Sequence, residues 1–358
     1  MRRADGLWEI LTSPPHLFAA ARAAACRKRR RPDVAAFLLD LETEVFALRR
    51  ELLAGTWRPG PYRTFSRADP KPRLISAAPF RDRVVHHALT RVLEPHFERR
   101  FSHDSYACRR GYGTHRALDR ARAACGRFPY VLKGDIVRYF PSIDHAILLR
   151  RLGTVIACRP TLDLVARIVE GFRLPAALRG APVYFPDDDL FTPFERPRGL
   201  PLGNQTSQFF ANVYLDPFDQ FVARRLRPGC YVRYVDDFLL FGEEPRTLLA
   251  QREAIRAWLC RLRLMVHPGK TRVYRVRDGI TFLGWRLFAD RTRLVRPTVV
   301  RFRRTLRWMQ RAYAAGRLDH GALRQRLHAW RGHAGWGDTW RLWQALLDSA
   351  IFTRGAGP

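Results

Sequence analysis

Two adjacent carboxylates sit inside an apolar run, Tyr231-Val-Arg-Tyr-Val-Asp236-Asp237-Phe-Leu-Leu-Phe241. The pattern reads as a β-hairpin with Asp236 and Asp237 at its tip. Burying two like charges side by side is costly, because each raises the pKa of the other and desolvation raises both. A divalent cation offsets both costs. Hard Mg²⁺ is held by one or two carboxylates together with substrate phosphates. The plainer alternative is a type I′ turn with both carboxylates in water, since Asp is a common turn residue. A third carboxylate weighs against that alternative. Val131-Leu-Lys-Gly-Asp135-Ile-Val-Arg-Tyr-Phe140 is a second strand-like segment with an Asp within it or at its end. Beyond it, Ser142 or Asp144 is the expected cap of a helix. Two-metal phosphoryl transfer draws carboxylates from different strands, so that cations about 3.5–4 Å apart clamp the attacking and leaving oxygens.

On these residues the chain resembles the reverse transcriptase family. Tyr234-Val-Asp-Asp237 is close to the family's signature tetrapeptide, and Asp135 followed by an aromatic at Phe140 matches its first catalytic motif. Further motifs follow in the family's order across residues 56–290. Lys71-Pro-Arg73-Leu-Ile-Ser76 is similar to the fingers segment that clamps the incoming triphosphate. Arg81-Asp-Arg-Val-Val-His-His-Ala-Leu89 and Asp104-Ser-Tyr-Ala-Cys-Arg-Arg-Gly-Tyr-Gly-Thr-His115 resemble the next fingers motifs. Gly199-Leu-Pro-Leu-Gly203-Asn-Gln-Thr-Ser-Gln208 resembles the loop and helix under the nascent base pair. His267-Pro-Gly-Lys270-Thr271 and Phe282-Leu-Gly-Trp285 resemble the last two palm motifs.

The resemblance implies an α+β, right-hand polymerase. Residues 1–55 would be an N-terminal helical extension, 56–290 the fingers and a palm of antiparallel sheet with helices, and 291–358 a helical thumb. It implies RNA-directed DNA synthesis with two Mg²⁺ ions, for which Mn²⁺ can substitute. Asp135 and Asp236 would bridge the ions, with Asp237 beside them and the Ile136 carbonyl as a further ligand. Lys71 and Arg73 would contact the triphosphate, and Lys270 would protonate the leaving pyrophosphate. Phe140 takes the position of the steric gate against a 2′-hydroxyl; the alternative is a core phenylalanine. Gly203 lets backbone approach a base pair, and Gln208 would touch template or nucleotide. Phe282-Leu283-Gly284 is a primer grip or a plain core strand. The implied partners are template RNA, an RNA–DNA hybrid and deoxynucleoside triphosphates, with room for a small accessory protein. Leu202 before Gly203 and Gln208 after Ser207 depart from the Gln and Pro of retroviral, retron and group II intron enzymes. This form resembles the enzymes of diversity-generating retroelements. Retron-like, intron-derived and phage-defence enzymes stay open, as do a template-independent polymerase and an inactive RNA-binding scaffold.

Composition agrees with a polyanionic partner. Net charge is +31 and the pI about 11.3, and no apolar run approaches the roughly 18 residues of a membrane span. Asp5 and Glu9 interrupt any signal-like stretch. The six cysteines form no Cys-x-x-Cys pair and read as reduced, mostly core-filling thiols of a cytoplasmic protein. Of 64 basic residues only Lys28, Lys71, Lys133 and Lys270 are lysine. Arg does not release its proton in a protein and Lys can, which agrees with an acid role for Lys270; Lys28, inside an Arg-Lys-Arg-Arg run, carries no such signal, and the Arg27–Arg31 run itself is a solvated face or a contact to template RNA.

The elements that must hold these residues are partly legible. Helical spacing of Val34, Phe37, Leu38, Leu41, Val45, Leu48 and Leu52 predicts one helix over 33–53, capped by Asp33 and stopped at Gly55. Further helices are expected near 81–97, 144–152, 160–172, 206–226 and 246–263. The stretch from Pro182 to Pro201 reads as an inserted loop, with Asp187, Asp188 and Asp189 as solvated surface. Phe302, Leu306, Met309 and Tyr313 mark the buried face of a helix that turns Arg303, Arg304, Arg307 and Arg311 outward, toward a duplex backbone or plain solvent. Trp330, Trp336, Trp340 and Trp343 are expected as core of a small helical bundle.

Overall fold

The structure is a computed structural model, and it describes residues 3–67 and 72–354. Lys71 therefore lies outside the described residues. At the centre is a four-stranded antiparallel sheet of β3 (Tyr130–Asp135), β4 (Cys230–Tyr234), β5 (Asp237–Gly242) and β6 (Arg272–Arg275), in the order β4-β5-β3-β6. It follows a hairpin of β1 (Arg63–Arg67) and β2 (Arg73–Ala77), and precedes a three-stranded sheet of β7 (Ile280–Phe282), β8 (Trp285–Leu287) and β9 (Thr292–Leu294).

Both faces of the central sheet are covered, which explains its continuous apolar runs. Side chains alternate across a strand. Phe238 and Leu240 enter a core shared with the Phe80–Glu98 and Gln205–Phe221 helices. Leu239 and Phe241 enter a second core with the Thr114–Cys125 helix and β7–β9. The first core also takes in Leu11, Leu17, Val34, Val45 and Leu48, so the N-terminal helices pack on the rest of the chain. A third core, with Phe302, Leu306, Met309 and Leu346, joins the Arg296–Ala314, His320–Ala334 and Trp340–Asp348 helices.

Several expectations need correction. The 33–53 helix is two, Pro32–Leu39 and Leu41–Leu53, broken at Asp40, whose φ of −115° and ψ of 40° are not helical. Asp competes with helix through local hydrogen bonds, and Leu39 beside the break is 91% exposed. Arg31 rather than Asp33 is the N-cap, because Pro32 starts the first turn. The helix over 206–226 is α-helical only to Phe221 and ends in a π turn, Val222–Leu226. Trp330 stacks on Phe302 and Trp343, but Trp340 is 62% exposed. Cys26 and Cys108 are exposed, so only Cys125, Cys158 and Cys230 fill core. Of the two candidate caps, Ser142 and Asp144, it is Asp144 that caps the helix, accepting from the Ile147 amide at 3.0 Å.

The acidic triplet is not all surface. The Asp188 side chain is fully buried against Arg196, with Arg263 3.7 Å away. Burial would raise its pKa, but Arg196, the Phe185 amide and Arg263 outweigh that and hold it below the usual range. Arg196 and Arg263 also reach Asp144. The inserted loop is thus tied to the cap of the His145–Gly153 helix by buried ion pairs.

Candidate active site

Strand register brings the aspartates together. β3 pairs with β5 so that Asp135 faces Asp237, and β4 pairs with β5 so that Tyr234 faces Asp237. Val235 and Asp236 form the two-residue hairpin loop between them. Val235 takes φ +58°, an outlier for a β-branched residue that costs on the order of 1–3 kcal/mol. The surroundings hold it there: the Arg233 guanidinium donates to the Val235 carbonyl at 2.9 Å, and the Ile136 amide donates to the Asp236 carbonyl at 3.3 Å.

The electrostatics are those of crowded carboxylates. Burial, then Asp237 and Asp135, push Asp236 up to about 6, against the opposing pull of Arg73. Asp135 is bound to Lys270, whose Nζ donates to Oδ2 at 2.6 Å. The loop carrying Lys270 is fixed to the same strand end. The His267 amide donates to the Asp135 carbonyl at 2.7 Å, and the Asp135 amide reaches the Thr271 hydroxyl at 3.5 Å.

Close packing sets the strand positions. A Cβ on Gly134 would lie 2.0 Å from Phe238 Cζ, so the ring crosses β3 where Gly134 leaves space. Gly203, at φ +111°, lies against Ile75 of β2; a Cβ there would meet Ile75 Cγ2 at 2.9 Å. Asn204 extends the same join, accepting from the Ala78 amide and donating to the Ser76 carbonyl. Arg73 is exposed on the strand so pinned.

Phe140 lies in the short Tyr139–Ser142 helix after β3, half-buried, with its ring edge-on to Tyr139. Its carbonyl accepts from the Leu200 amide at 2.9 Å, and the Tyr139 hydroxyl donates to Ala211. Gln208 is exposed near the start of the Gln205–Phe221 helix and, with Gly203, lines a cavity that the aspartates do not. Arg303, Arg304, Arg307 and Arg311 are exposed on a helix with its own core. Phe282 and Trp285 flank a tight β7–β8 turn in which Leu283 (φ +47°) and Gly284 (φ +86°) are left-handed.

Two groups of residues escaped the sequence reading. Arg233, Asp219 and Tyr231 form a buried network: Arg233 grips Asp219 with two hydrogen bonds of 2.6 Å, and the Tyr231 hydroxyl donates to Asp219 at 2.8 Å. The signal was available, since an arginine within a strand buried on both faces must find a partner. Lys28, His86 and His87 form the wall of the cavity at Gly203, and no spacing rule joins residues so far apart.

Among the described residues no group of three His, Cys, Asp or Glu side chains is already arranged to hold a metal ion. The donor set nonetheless suits Mg²⁺: oxygen ligands on facing strands and a mutual repulsion that a cation relieves. Lys270 supplies positive charge at Asp135 in this arrangement.

The chain belongs to the reverse transcriptase (RNA-dependent DNA polymerase) family, whose model matches residues 66–287. It is 27% identical to protein YkfC of Escherichia coli K12, covering 83% of this chain and 87% of that one. It is 24% identical to the group II intron-encoded protein LtrA of Lactococcus lactis, covering 51% of this chain and 28% of LtrA. Among solved structures it resembles apo telomerase from Candida tropicalis, with a TM-score of 0.46, 12% identity, and coverage of 65% of this chain and 48% of that chain. No helix among the described residues is long and apolar enough to cross a membrane.

Proposed function

We propose that the chain extends a DNA primer on an RNA template, with Asp135, Asp236 and Asp237 holding two Mg²⁺ ions and the Ile136 carbonyl assisting. The observation that carries this reading is the register that sets Asp135 opposite Asp237 with Asp236 on the adjoining turn. Bound Mg²⁺ would acidify the primer hydroxyl and neutralise triphosphate charge. The protein's own groups do the rest. Arg73 binds the triphosphate through its planar fork. Lys270 moves from Asp135 to the leaving pyrophosphate and gives it a proton. Phe140 excludes the 2′-hydroxyl. The Arg296–Ala314 helix serves as a thumb whose arginines track the hybrid backbone.

Primer extension with and without RNA template tests this reading. Template-dependent synthesis is expected in the wild type, and none in the Asp236→Ala/Asp237→Ala variant, which should still fold and bind RNA. Mg²⁺-dependent synthesis by that variant would sink the assignment; synthesis without template would mark a terminal transferase.

Two finer readings differ over fidelity. Leu202 and Gln208 favour a diversity-generating retroelement: Leu202 lacks the hydrogen-bonding group with which a Gln would position template or nucleotide, and Gln208 restores the backbone donor that a Pro lacks, which together loosen geometric checking. The 184-residue likeness to LtrA favours an intron-derived enzyme. The first requires misincorporation concentrated opposite template adenine and reduced by Leu202→Gln; low, even error at all four template bases favours the second.

A further inference from the structure

A pocket of about 270 Å³ lies where the inserted loop meets the chain just beyond Asp135. Its polar lining is cationic: Arg138, Arg179, Arg196, Arg198 and Arg263, with Ser142 as a neutral hydroxyl. Val183, Phe185 and Met265 add apolar walls, which strengthen charge interactions by keeping water back. Two of the five arginines are matched, because Arg196 and Arg263 pair with Asp144 and Asp188. Arg138, Arg179 and Arg198 have no carboxylate partner among the described residues. Arg179 and Arg198 donate only to carbonyls, those of Leu174 at 3.3 Å and Arg179 at 3.1 Å. An excess of three positive charges is left. Burial, then Arg196, Arg138 and Arg179, lower the pKa of Arg198. The backbone accommodates this crowding. Arg138 takes φ +46°, and a Cβ on Gly180, itself at φ +65°, would overlap the Arg138 guanidinium. Crowded cations repel, and an anion set between them turns that repulsion into attraction. The planar fork of Arg fits phosphate oxygens two at a time. One phosphate carries roughly −1.5 to −2 and leaves part of the excess unmatched, whereas two joined phosphates come close to it. The volume, just under the roughly 300 Å³ at which drug-sized sites begin, suits a small ion.

We propose that this pocket binds a diphosphate group, as free pyrophosphate or as the end of a soluble nucleotide, on Arg138, Arg179 and Arg198. The Val137 amide donates to the Met265 carbonyl at 2.8 Å, and the His267 amide to that of Asp135 at 2.7 Å. The pocket therefore stands on the two segments that carry Asp135 and Lys270. Free pyrophosphate as the occupant rests on the polymerase reading, in which that ion leaves from Lys270; the binding itself does not.

Calorimetric titration of the full chain with pyrophosphate, in EDTA and without nucleic acid, tests this. Under those conditions the bare carboxylates of Asp135, Asp236 and Asp237 repel the anion. Pyrophosphate should bind at one site, about tenfold or more tighter than orthophosphate. Arg198→Gln and Arg138→Gly should each weaken it about tenfold or more; glycine is chosen because it accepts the positive φ. Arg198→Gln breaks no ion pair and relieves repulsion, so without ligand its melting temperature should hold. Pyrophosphate should raise that temperature in the wild type and not in the variant. The Arg303→Gln/Arg304→Gln/Arg307→Gln variant removes more charge elsewhere and should keep pyrophosphate affinity within about twofold. An equal loss there, or no preference over orthophosphate, is counterion attraction to a basic surface and overturns the pocket. Loss with Arg73→Gln but not with Arg198→Gln puts the ion at β2 and overturns it too. ADP competing for the site sets the source, a soluble nucleotide if it binds tighter than pyrophosphate and the free ion if weaker; both support the diphosphate site. Single-stranded RNA losing as much affinity as pyrophosphate in Arg198→Gln would make this a backbone contact and overturn the assignment. None of these measurements uses template or Mg²⁺. Failure here leaves templated extension standing, and failure of extension leaves the pocket standing.

Discussion

Arg233 and Asp219 are joined by two hydrogen bonds of 2.6 Å, with each side chain 1% exposed, and the same guanidinium holds the carbonyl of Val235 beside Asp236. Removing one partner of a buried pair leaves an uncompensated charge and costs about 3–5 kcal/mol. Arg233→Met and Asp219→Leu should each lose stability on that scale. The double variant should lose much less, since no lone charge remains. Its synthesis should stay depressed nonetheless, because Val235 would lack the contact that holds its strained turn. Full activity in a stable double variant would reduce the pair to a packing role.

Asp236 titrates in the wrong direction for stability. Its proton, ordinarily lost near 3.8, is retained in the fold to about 6. Between those values the native state binds more protons than the unfolded chain, so stability falls as pH rises through the window and stays lowered above it. Asp236→Asn removes the penalty. In EDTA it should be about 1–3 kcal/mol more stable than wild type at pH 7.5, with the gap closing toward pH 4. Thermal unfolding at both pH values checks this, and equal stability at pH 7.5 would remove the like-charge argument for a cation.

Gly134 leaves the space that Phe238 occupies. Gly134→Ala should destabilise by about 1–3 kcal/mol, the usual range for overpacking, or more. Pairing it with Phe238→Leu should recover part of the loss, because the smaller side chain vacates the clash. Additive losses in the unfolding midpoints would mean that the two residues do not share this space.

The strands that carry Asp135, Asp236 and Asp237 were legible because their chemistry contradicts their surroundings. Asp135, Asp236 and Asp237 are charges in apolar runs, but which of them face each other is set by the register of β3 on β5, which the folded chain supplies. The Arg296–Ala314 helix was legible from the spacing of Phe302, Leu306, Met309 and Tyr313. The break at Asp40 was not, because apolar residues continue in register on both sides of it. Asp188 was misread for a related reason: three adjacent carboxylates look alike in sequence, and only Arg196 and Arg263, brought in by tertiary folding, single one out. For the Arg27–Arg31 run the sequence leaves open a solvated face or a contact to template RNA, and only the packing of the N-terminal helices on Phe80–Glu98 sets Lys28 beside Arg83.

Phe140 is half-buried and its backbone is tied to Leu200. Its ring can therefore shorten without releasing the short helix, which Tyr139 anchors independently. Phe140→Val should raise ribonucleotide incorporation at least tenfold relative to deoxynucleotide, with a change in melting temperature of a few degrees. Unchanged sugar discrimination in a folded variant would return Phe140 to the core.

The arginines of the Arg296–Ala314 helix supply the last prediction. Phe302, Leu306 and Met309 are buried in that helix's own core, while Arg303, Arg304 and Arg307 face solvent. Replacing the three with Gln therefore removes charge without removing packing, and stability should hold. If the helix tracks a hybrid, each arginine displaces counterions from the backbone, and log affinity falls with log salt by roughly 0.7–0.9 per phosphate neutralised. The triple variant should lower the magnitude of that slope by about 2 and weaken binding most at low salt. Base sequence should not alter the effect, because phosphate contacts position without specifying. Titrations of one hybrid at several salt concentrations, wild type against variant, decide the matter. A slope that does not change puts the duplex on some other part of this basic surface and removes the thumb assignment.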